Sequence, residues 1–395
     1  MKKKRIFMVS YGGGHVNIIK SIYHELRKER NVDLIYLALT SAPLQLQGTD
    51  INYITASDIL EWLPYRDEVE KLGKLYGAPF HNYQLGVSLE DTVAYYGIGI
   101  YDLIQKYGTT IAKKRFEEDG RKAFLPIGTM ENILQCINPD CCVITASPRM
   151  EMATGIAADK LNIPVVRVND LPICNELEHD CILCVMNEWA KTYAIQKAGV
   201  PEKKIRVTGQ PIFEENEKIN NNWITEFKES AVKYNYTVVF FAENGKNQTE
   251  EIDAIYEIAE QMKNVLFIIK LHPNQQMESF QKSNQKNVWV KKEPAKNYLQ
   301  VAHLVITTFS TTGMEAAIKG IPLIEIKFKR ERYPIEYIEM GIACLAENKS
   351  QLFNEIRLLL DKSSDEYKEL MFSSKAFDFV SNASANICSV IKEQC

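Results

Sequence analysis

Twice along the chain the same order repeats: a short apolar run, a tight polar turn, a run of helical period, then another apolar run. In the first half "RIFMVS", "VDLIYLAL", "INYITA", "CCVITA" and "PVVRVND" read as strands, with "VNIIKSIYHEL" and "RMEMATGIAADKLNI" as helices among them. In the second half "YTVVFFAE", "NVLFIIKLHP", "NVWVKK", "HLVITTFS" and "IPLIEIKF" alternate with the helical runs "TEEIDAIYEIAEQMK", "AKNYLQVA" and "TTGMEAAIKG". Strands joined through helices run parallel, and a parallel sheet needs helices on both faces. The expected fold is therefore α/β: two tandem Rossmann-like, doubly wound domains with a cleft between them. The turn-rich stretch "GQPIFEENEKINNNW" marks the junction, giving an N-terminal domain over 1–208 and a C-terminal domain over 209–395. Residues 57–125 interrupt the alternation as a mostly helical, aromatic-rich insertion. Beyond 347 the periodicity is helical without a strand, so the last helices either cap the second domain or cross back to the first.

A chain of 395 residues is long enough for two domains, each with its own core. A hydrophobic content of 46% and a charged content of 25% are those of a globular protein, and a net charge of −4 argues against a dedicated nucleic-acid binder. The N-terminal lysines precede only about five apolar residues, far short of a spanning helix, and a cytoplasmic location is expected. Nine cysteines in such a chain read as reduced thiols. Cys181 and Cys184 form a C-x-x-C pair with no second pair or His pair at zinc-site spacing, and no metal is expected. Cys136, Cys141 and Cys142 sit in or beside an apolar run and read as core filler.

In an open parallel sheet, ligands bind beyond the carboxyl ends of the strands. The first such place is Gly12, Gly13, Gly14 and His15, between a strand and a helix. Glycines let the backbone turn tightly and approach a ligand, and an imidazole there is a candidate proton acceptor; a plain tight turn is the alternative. The spacing is neither G-x-G-x-x-G nor G-x-x-x-x-G-K-[ST], so neither a nicotinamide cofactor nor ATP follows from it. The second place is "IIKLHPN", where His272, with Pro273, could donate to a phosphate oxygen and Lys270 add charge, against a polar residue satisfied in a turn. The third is "ITTFSTTGMEAAIKG". Ser310, Thr311 and Thr312 with the N–H groups at Gly313 form an uncharged phosphate cradle, and Glu315 on the first helical turn could take both hydroxyls of a ribose; simple helix capping is the alternative. The fourth is the loop of Glu243, Asn244 and Gly245, which borders the ligand or merely connects strand to helix.

These features, in this order, resemble the GT-B glycosyltransferases, most closely the inverting group that includes the lipid II-forming N-acetylglucosaminyltransferase and monogalactosyldiacylglycerol synthase. The resemblance is carried by Gly12, Gly13, Gly14 and His15, by "GVPEKKIRVTGQPI", and by Glu315, Gly320 and Pro322. The "LHP" motif is similar to that of sialyl- and glycerophosphotransferases, in which the histidine contacts the donor phosphate. Retaining members place two glutamates eight positions apart; counting back from Glu315 gives Thr307, so inversion is implied. Where the lipid II-forming enzyme has a glutamine pair reading the donor sugar, this chain has Lys329 and Arg330 within "KFKRERYP". The basic cluster Lys327, Lys329, Arg330 and Arg332 then reads an acidic donor or phosphate charge, or is a solvated loop.

The resemblance implies a metal-independent transfer of a sugar from a UDP- or CMP-linked donor, with no cofactor, to a carbohydrate or lipid-linked acceptor in the first domain. His15 is the first candidate base and Asp170 the second, since related sialyltransferases use an Asp of the first domain. Arg149 holds a charged acceptor or is a helix-start surface residue. The aromatic segment from Trp62 to Tyr107 forms an acceptor wall, a surface resting on the cytoplasmic face of a membrane, or ordinary helical packing. The rivals are a UDP-N-acetylglucosamine 2-epimerase-like enzyme, whose Arg-Pro-Glu and "DSGG" stretches are missing here, and a nucleotide-sugar-binding protein without catalysis.

Overall fold

The computed structural model describes residues 3–395 except 84–85, 215–220, 244–247, 273–274, 278–279, 281–284, 330–334, 376 and 378. Its described strands form two parallel six-stranded sheets. The first contains β1 (Lys4–Ser10), β2 (Val32–Ala38), β3 (Cys141–Thr145), β4 (Val165–Val168), β5 (Ile182–Val185) and β6 (Ile205–Val207), in the order β2-β1-β3-β4-β5-β6. The second contains β7 (Tyr236–Phe241), β8 (Val265–Lys270), β9 (Val288–Lys291), β10 (Leu304–Thr307), β11 (Leu323–Ile326) and β12 (Cys344–Ala346), in the order β12-β11-β10-β7-β8-β9. The strands are near-continuous apolar runs because helices cover both faces. Strand order reverses between β1 and β3 in one sheet and between β7 and β10 in the other. Crevices open at such points, because the loops leave the sheet in opposite directions.

The chain divides into two compact units, Met1–Glu215 with Val380–Cys395, and Asn216–Phe379. The division moves the expected boundary from 208 to 215, and the end of the chain takes one of its two expected courses, crossing back to the first unit. The last helix, Ala383–Gln394, packs on the first unit, where Ile387, Val390 and Ile391 share a core with Ile18, Ile19 and Ile22 of the helix Gly14–Leu26. Residues 209–215 stay with it because Glu214 accepts the N–H of Ala383 at 2.7 Å, a carboxylate at the positive end of that helix. Gly209 permits the close approach of the two segments: its φ is 88°, and a Cβ would lie 2.4 Å from the Val380 carbonyl oxygen.

Two local readings need correction. "INYITA" is not a strand; Ile54 makes a single bridge to Leu37 before the chain turns away. β5 falls on the C-x-x-C stretch "CILC", where the sequence pattern announces no strand, and the helix Glu188–Gln196 follows it. Both cysteines of that motif are buried, and burial pushes each thiol up to about 12, which holds them as neutral side chains.

The insertion is helical, as expected. The helices Arg66–Tyr76 and Leu89–Tyr107 approach at Gly73 and Gly97, where an added Cβ would meet the carbonyl oxygens of Val93 at 1.9 Å and Val69 at 2.2 Å. Tyr95, Phe116 and Phe124 are buried, and Tyr65 stacks on Tyr101 with centroids 4.2 Å apart, so most of its aromatics serve helical packing. Among the described residues no helix is long and apolar enough to cross a membrane.

Candidate functional site

The switch point of the first sheet gathers His15, Thr145, Glu151 and Asp170. β1 ends at Ser10, and the chain turns through Gly12, whose Cβ would lie 2.1 Å from Ser41 Oγ, and Gly13, at φ 79°. This turn sets His15 in the first turn of the helix Gly14–Leu26. Its Nδ1 lies 2.8 Å from the hydroxyl of Thr145, the last residue of β3. That hydroxyl donates to Glu151 Oε2 at 2.5 Å, a short bond of the charge-assisted kind. Glu151 is fully buried, and its two oxygens also accept the N–H groups of Thr145 (2.8 Å) and Tyr11 (2.9 Å). Burial raises its pKa, while the charge of His15 and these donors pull it back.

The chain of bonds assigns the imidazole tautomer. The single proton of Thr145 goes to the carboxylate, so the Thr145 oxygen accepts from His15, whose Nδ1 must carry hydrogen. Nε2 is then the ring atom with a free lone pair in the neutral imidazole. It lies 3.9 Å from Asp170 Oδ2, too long for a hydrogen bond but close enough for the carboxylate to favour a proton arriving on the ring. Both side chains keep 24% of their surface exposed. Asp170 follows β4 on a turn braced from "GQPI": buried Gln210 donates to the carbonyl of Asn169 at 2.8 Å. Glu151 and Gln210 escaped the sequence reading. The available signal was polarity inside buried runs, "MEMATGIAA" and "VTGQPI", because a buried polar group must be partnered.

Arg149 stands just before the helix Met150–Lys160 in the same unit, half-buried, its guanidinium over the ring of Tyr11 at 4.8 Å. Its backbone is at φ 68° and ψ −116°, a conformation suited to glycine.

In the second unit the loops after β7, β8 and β10 are tied together through Glu243. Its backbone N–H donates to buried Gln248 at 2.7 Å, and its carbonyl accepts from Gln275 at 2.8 Å. Its carboxylate accepts from Phe309 N at 3.4 Å and contacts Thr307 Oγ1 at 3.5 Å. Burial raises the Glu243 pKa, against the pull of these donors. The expected phosphate cradle needs correction: the N–H groups of Gly313, Met314 and Glu315 already donate to the carbonyls of Ser310, Thr311 and Thr311. The short helix Thr312–Ile318 closes on itself, and the carboxylate of Glu243 takes the N–H of Phe309 in the loop before it. Ser310 and Thr312 hydroxyls lie 3.1 Å apart, and Thr311 is exposed.

Tyr337 pins this loop, donating its phenol to the Ser310 carbonyl. Burial drives that phenol's pKa up, and the carboxylates of Glu243, Glu325 and Glu315 add to the effect. A Cβ on Gly313 would lie 2.8 Å from the Tyr337 ring and 3.0 Å from a Thr307 methyl. Gly313→Ala is therefore expected to destabilise the second unit by about 1–3 kcal/mol, read as a lowered thermal midpoint; an unchanged midpoint would show that the ring yields freely.

His272 follows β8, its N–H held by Gln275 at 2.7 Å; burial and then the charge of Lys270 lower its pKa, so the ring is neutral at neutral pH. Lys270 is buried with its ammonium hydrogen-bonded to the Leu271 carbonyl, and burial lowers its pKa too. Lys327 pairs with Glu336 at 2.7 Å, and Lys329 lines a cavity beside Glu250, Asp253 and Glu257, so the supposed basic cluster is largely countered where it is described. Asn244, Gly245, Pro273, Arg330 and Arg332 lie outside the described residues. Among the described residues no group of three or more His, Cys, Asp or Glu side chains could hold a metal.

No family model matches the chain, and no curated protein matches it by sequence. Solved structures do. The UDP-GlcNAc 2-epimerase from Neisseria meningitidis bound to UDP-GlcNAc matches over 99% of this chain and 99% of its own, with a TM-score of 0.61 and 16% identity. The calicheamicin glycosyltransferase CalG4 matches over 100% and 98%, with a TM-score of 0.59 and 12% identity. The glycosyltransferase of kitacinnamycin matches over 100% of both chains, with a TM-score of 0.57 and 13% identity. The fold is thus the two-domain GT-B fold, shared by glycosyltransferases and UDP-GlcNAc 2-epimerases alike.

Proposed function

We propose that the protein is an inverting, metal-independent glycosyltransferase that moves a sugar from a nucleotide-sugar donor to a hydroxyl acceptor. The observation that carries this reading is the bond series from His15 through Thr145 to Glu151, which leaves His15 Nε2 as a proton acceptor at the switch point of the first sheet. In the reaction, Nε2 takes the proton of the acceptor hydroxyl as its oxygen attacks the anomeric carbon from the face opposite the leaving group. The bond from that carbon to the nucleotide phosphate breaks, and the electron pair leaves with the phosphate. Asp170 stabilises the imidazolium that forms. The second unit binds the nucleotide, with Glu315 toward the ribose and His272, Ser310 and Thr312 toward the phosphates. The sequence has no D-x-D placed to hold a cation, which supports metal independence.

The reading is tested by thermal shift with UDP, CDP, CMP, GDP and ADP on the wild type and Glu315→Ala. A ligand at 100 times its Kd stabilises the folded state by about 2.7 kcal/mol. One nucleotide is expected to raise the midpoint of the wild type and to lose that effect in the variant. Turnover of the matching sugar donor should then require an acceptor. Release of free nucleotide without an acceptor would favour the epimerase reading; stabilisation by no nucleotide would remove the nucleotide-sugar reading.

A further inference from the structure

A cavity of the first unit, of about 330 Å³, is bordered by Arg149, Lys106, Arg115 and Lys122 and by the carboxylates of Asp102 and Asp119. The volume suits a sugar-sized or phosphate-bearing group. Its charges are unbalanced. Arg149 forms no ion pair among the described residues, and its Nε is shielded from solvent with no hydrogen-bond partner. The rest of the guanidinium meets neutral groups only: the ring of Tyr11 and the phenol oxygens of Tyr11 and Tyr95, to which it hydrogen-bonds. Arg115 rests on the ring of Tyr107 at 4.3 Å and has no carboxylate partner among the described residues, whereas Lys113 and Lys114 of the same helix, Thr109–Asp119, approach Glu117 and Glu118. Asp102 is turned to its own frame, accepting the N–H of Thr129 at 3.1 Å.

Arg149 is also held where a side chain is costly. The turn is fixed from two sides, with Met150 N donating to the Tyr11 hydroxyl at 3.2 Å and Ala153 N to the Arg149 carbonyl at 2.7 Å. Glycine would occupy this φ and ψ without strain, yet the chain places its longest cation there. A half-buried guanidinium without a counter-charge among the described residues, on a strained turn beyond the carboxyl end of β3 as His15 is beyond that of β1, is arranged for an anion supplied from outside.

We propose that Arg149, with Lys106, Arg115 and Lys122, binds an oxyanion of the second substrate, a carboxylate or a phosphate monoester, so that the acceptor is an anionic sugar or similar acid. The proposal rests on the transferase reading above, with the acceptor in the first unit. Guanidinium geometry suits both anions, since each offers two oxygens to the fork.

The test uses the full chain labelled with ¹⁵N-arginine, following the Nε–H resonances while inorganic phosphate and acetate are titrated separately. Arg149→Gly identifies the resonance and, because glycine fits the turn, is expected to melt at or above the wild-type temperature while losing the response. The Arg149 signal should shift saturably with at least one anion, the stronger one naming the acceptor's charge group. Affinity should fall about fivefold in Arg115→Gln/Lys122→Gln and hold in Lys113→Gln/Lys114→Gln. Absence of a saturable shift, equal affinity in the first double variant, or an Arg149→Gly midpoint well below wild type would overturn the site; the last would mean that stacking on Tyr11 is what the strain serves. A chain that binds phosphate at Arg149 yet is stabilised by no nucleotide keeps the site and loses the transferase reading. The reverse result keeps the reading and removes the site.

Discussion

His15→Ala is expected to lower acceptor-dependent kcat/KM by about 10²–10⁴-fold, the usual contribution of a positioned general base, while nucleotide stabilisation stays at its wild-type value. The reason lies in the division of labour. His15 belongs to the first unit, whereas the groups assigned to the nucleotide belong to the second, so the two readouts report different halves of the proposal. The structure also ranks the partners. Thr145→Val removes the acceptor for His15 Nδ1–H and frees the ring to flip or take the other tautomer, so it should cost less than deletion of the ring but more than Asp170→Asn. Asp170 acts across 3.9 Å through partly exposed space, and water screens much of its effect. If His15→Ala retains near-normal transfer and Asp170→Asn does not, the roles are reversed and Asp170 is the base. If neither variant changes transfer while acceptor-dependent turnover persists, the chemistry is elsewhere and the switch point of the first sheet is structural.

Which parts of this were legible in the sequence follows from what local pattern can encode. Strand-end residues were legible: Gly12, Gly13 and His15 sit where an apolar run gives way to a helical one, and the same held for Ser310 to Thr312 and for His272. Partnering was not. Glu243 reads as a residue that borders the ligand or merely connects strand to helix, yet its carboxylate takes the N–H of Phe309, because its strand neighbours β10. The free amides expected at Gly313 are consumed within a helix of seven residues, a length no capping pattern announces. The return of the helix Ala383–Gln394 to the first unit depends on an apolar face meeting Ile18 and Ile22, a contact across more than 360 residues with no local signature. Glu151 is the sharpest case. In "RMEMATG" it stands where a first-turn acid usually faces solvent, and only its neighbours, nearly all small or apolar, hint that this helix has no wet side there.

That burial makes Glu151→Ala the second large effect, and one of stability. The substitution strands the N–H groups of Tyr11 and Thr145 and the Thr145 hydroxyl, donors that no solvent reaches directly. Unsatisfied donors cost about 1–3 kcal/mol each, but loss of a buried charge and entry of water offset part of the sum, so a net destabilisation of about 3 kcal/mol is expected. The units need not unfold together, so the measurement is hydrogen exchange at the Tyr11 and Thr145 amides, with the second unit's strands as internal reference. The pH dependence has a definite sign. Burial lifts the folded pKa above the unfolded carboxyl value of about 4.3, so the folded chain holds the proton more tightly. The stability contributed by Glu151 is then fully present below the unfolded value and is lost as pH rises through the folded one. The gap between wild type and variant should accordingly be widest in acid and narrow upward; a gap that widens with pH would mean that the donors outweigh burial and that the carboxylate is held charged. Glu151→Gln separates charge from orientation. Its amide oxygen can still take the proton of Thr145 and so preserve the His15 tautomer, while its NH₂ meets the N–H of Tyr11. A Gln variant that is destabilised but transfers sugar at near the wild-type rate would show that Glu151 serves by fixing the direction of one hydroxyl. A well-folded Gln variant that has lost transfer would show that the negative charge behind the imidazole is what the reaction needs.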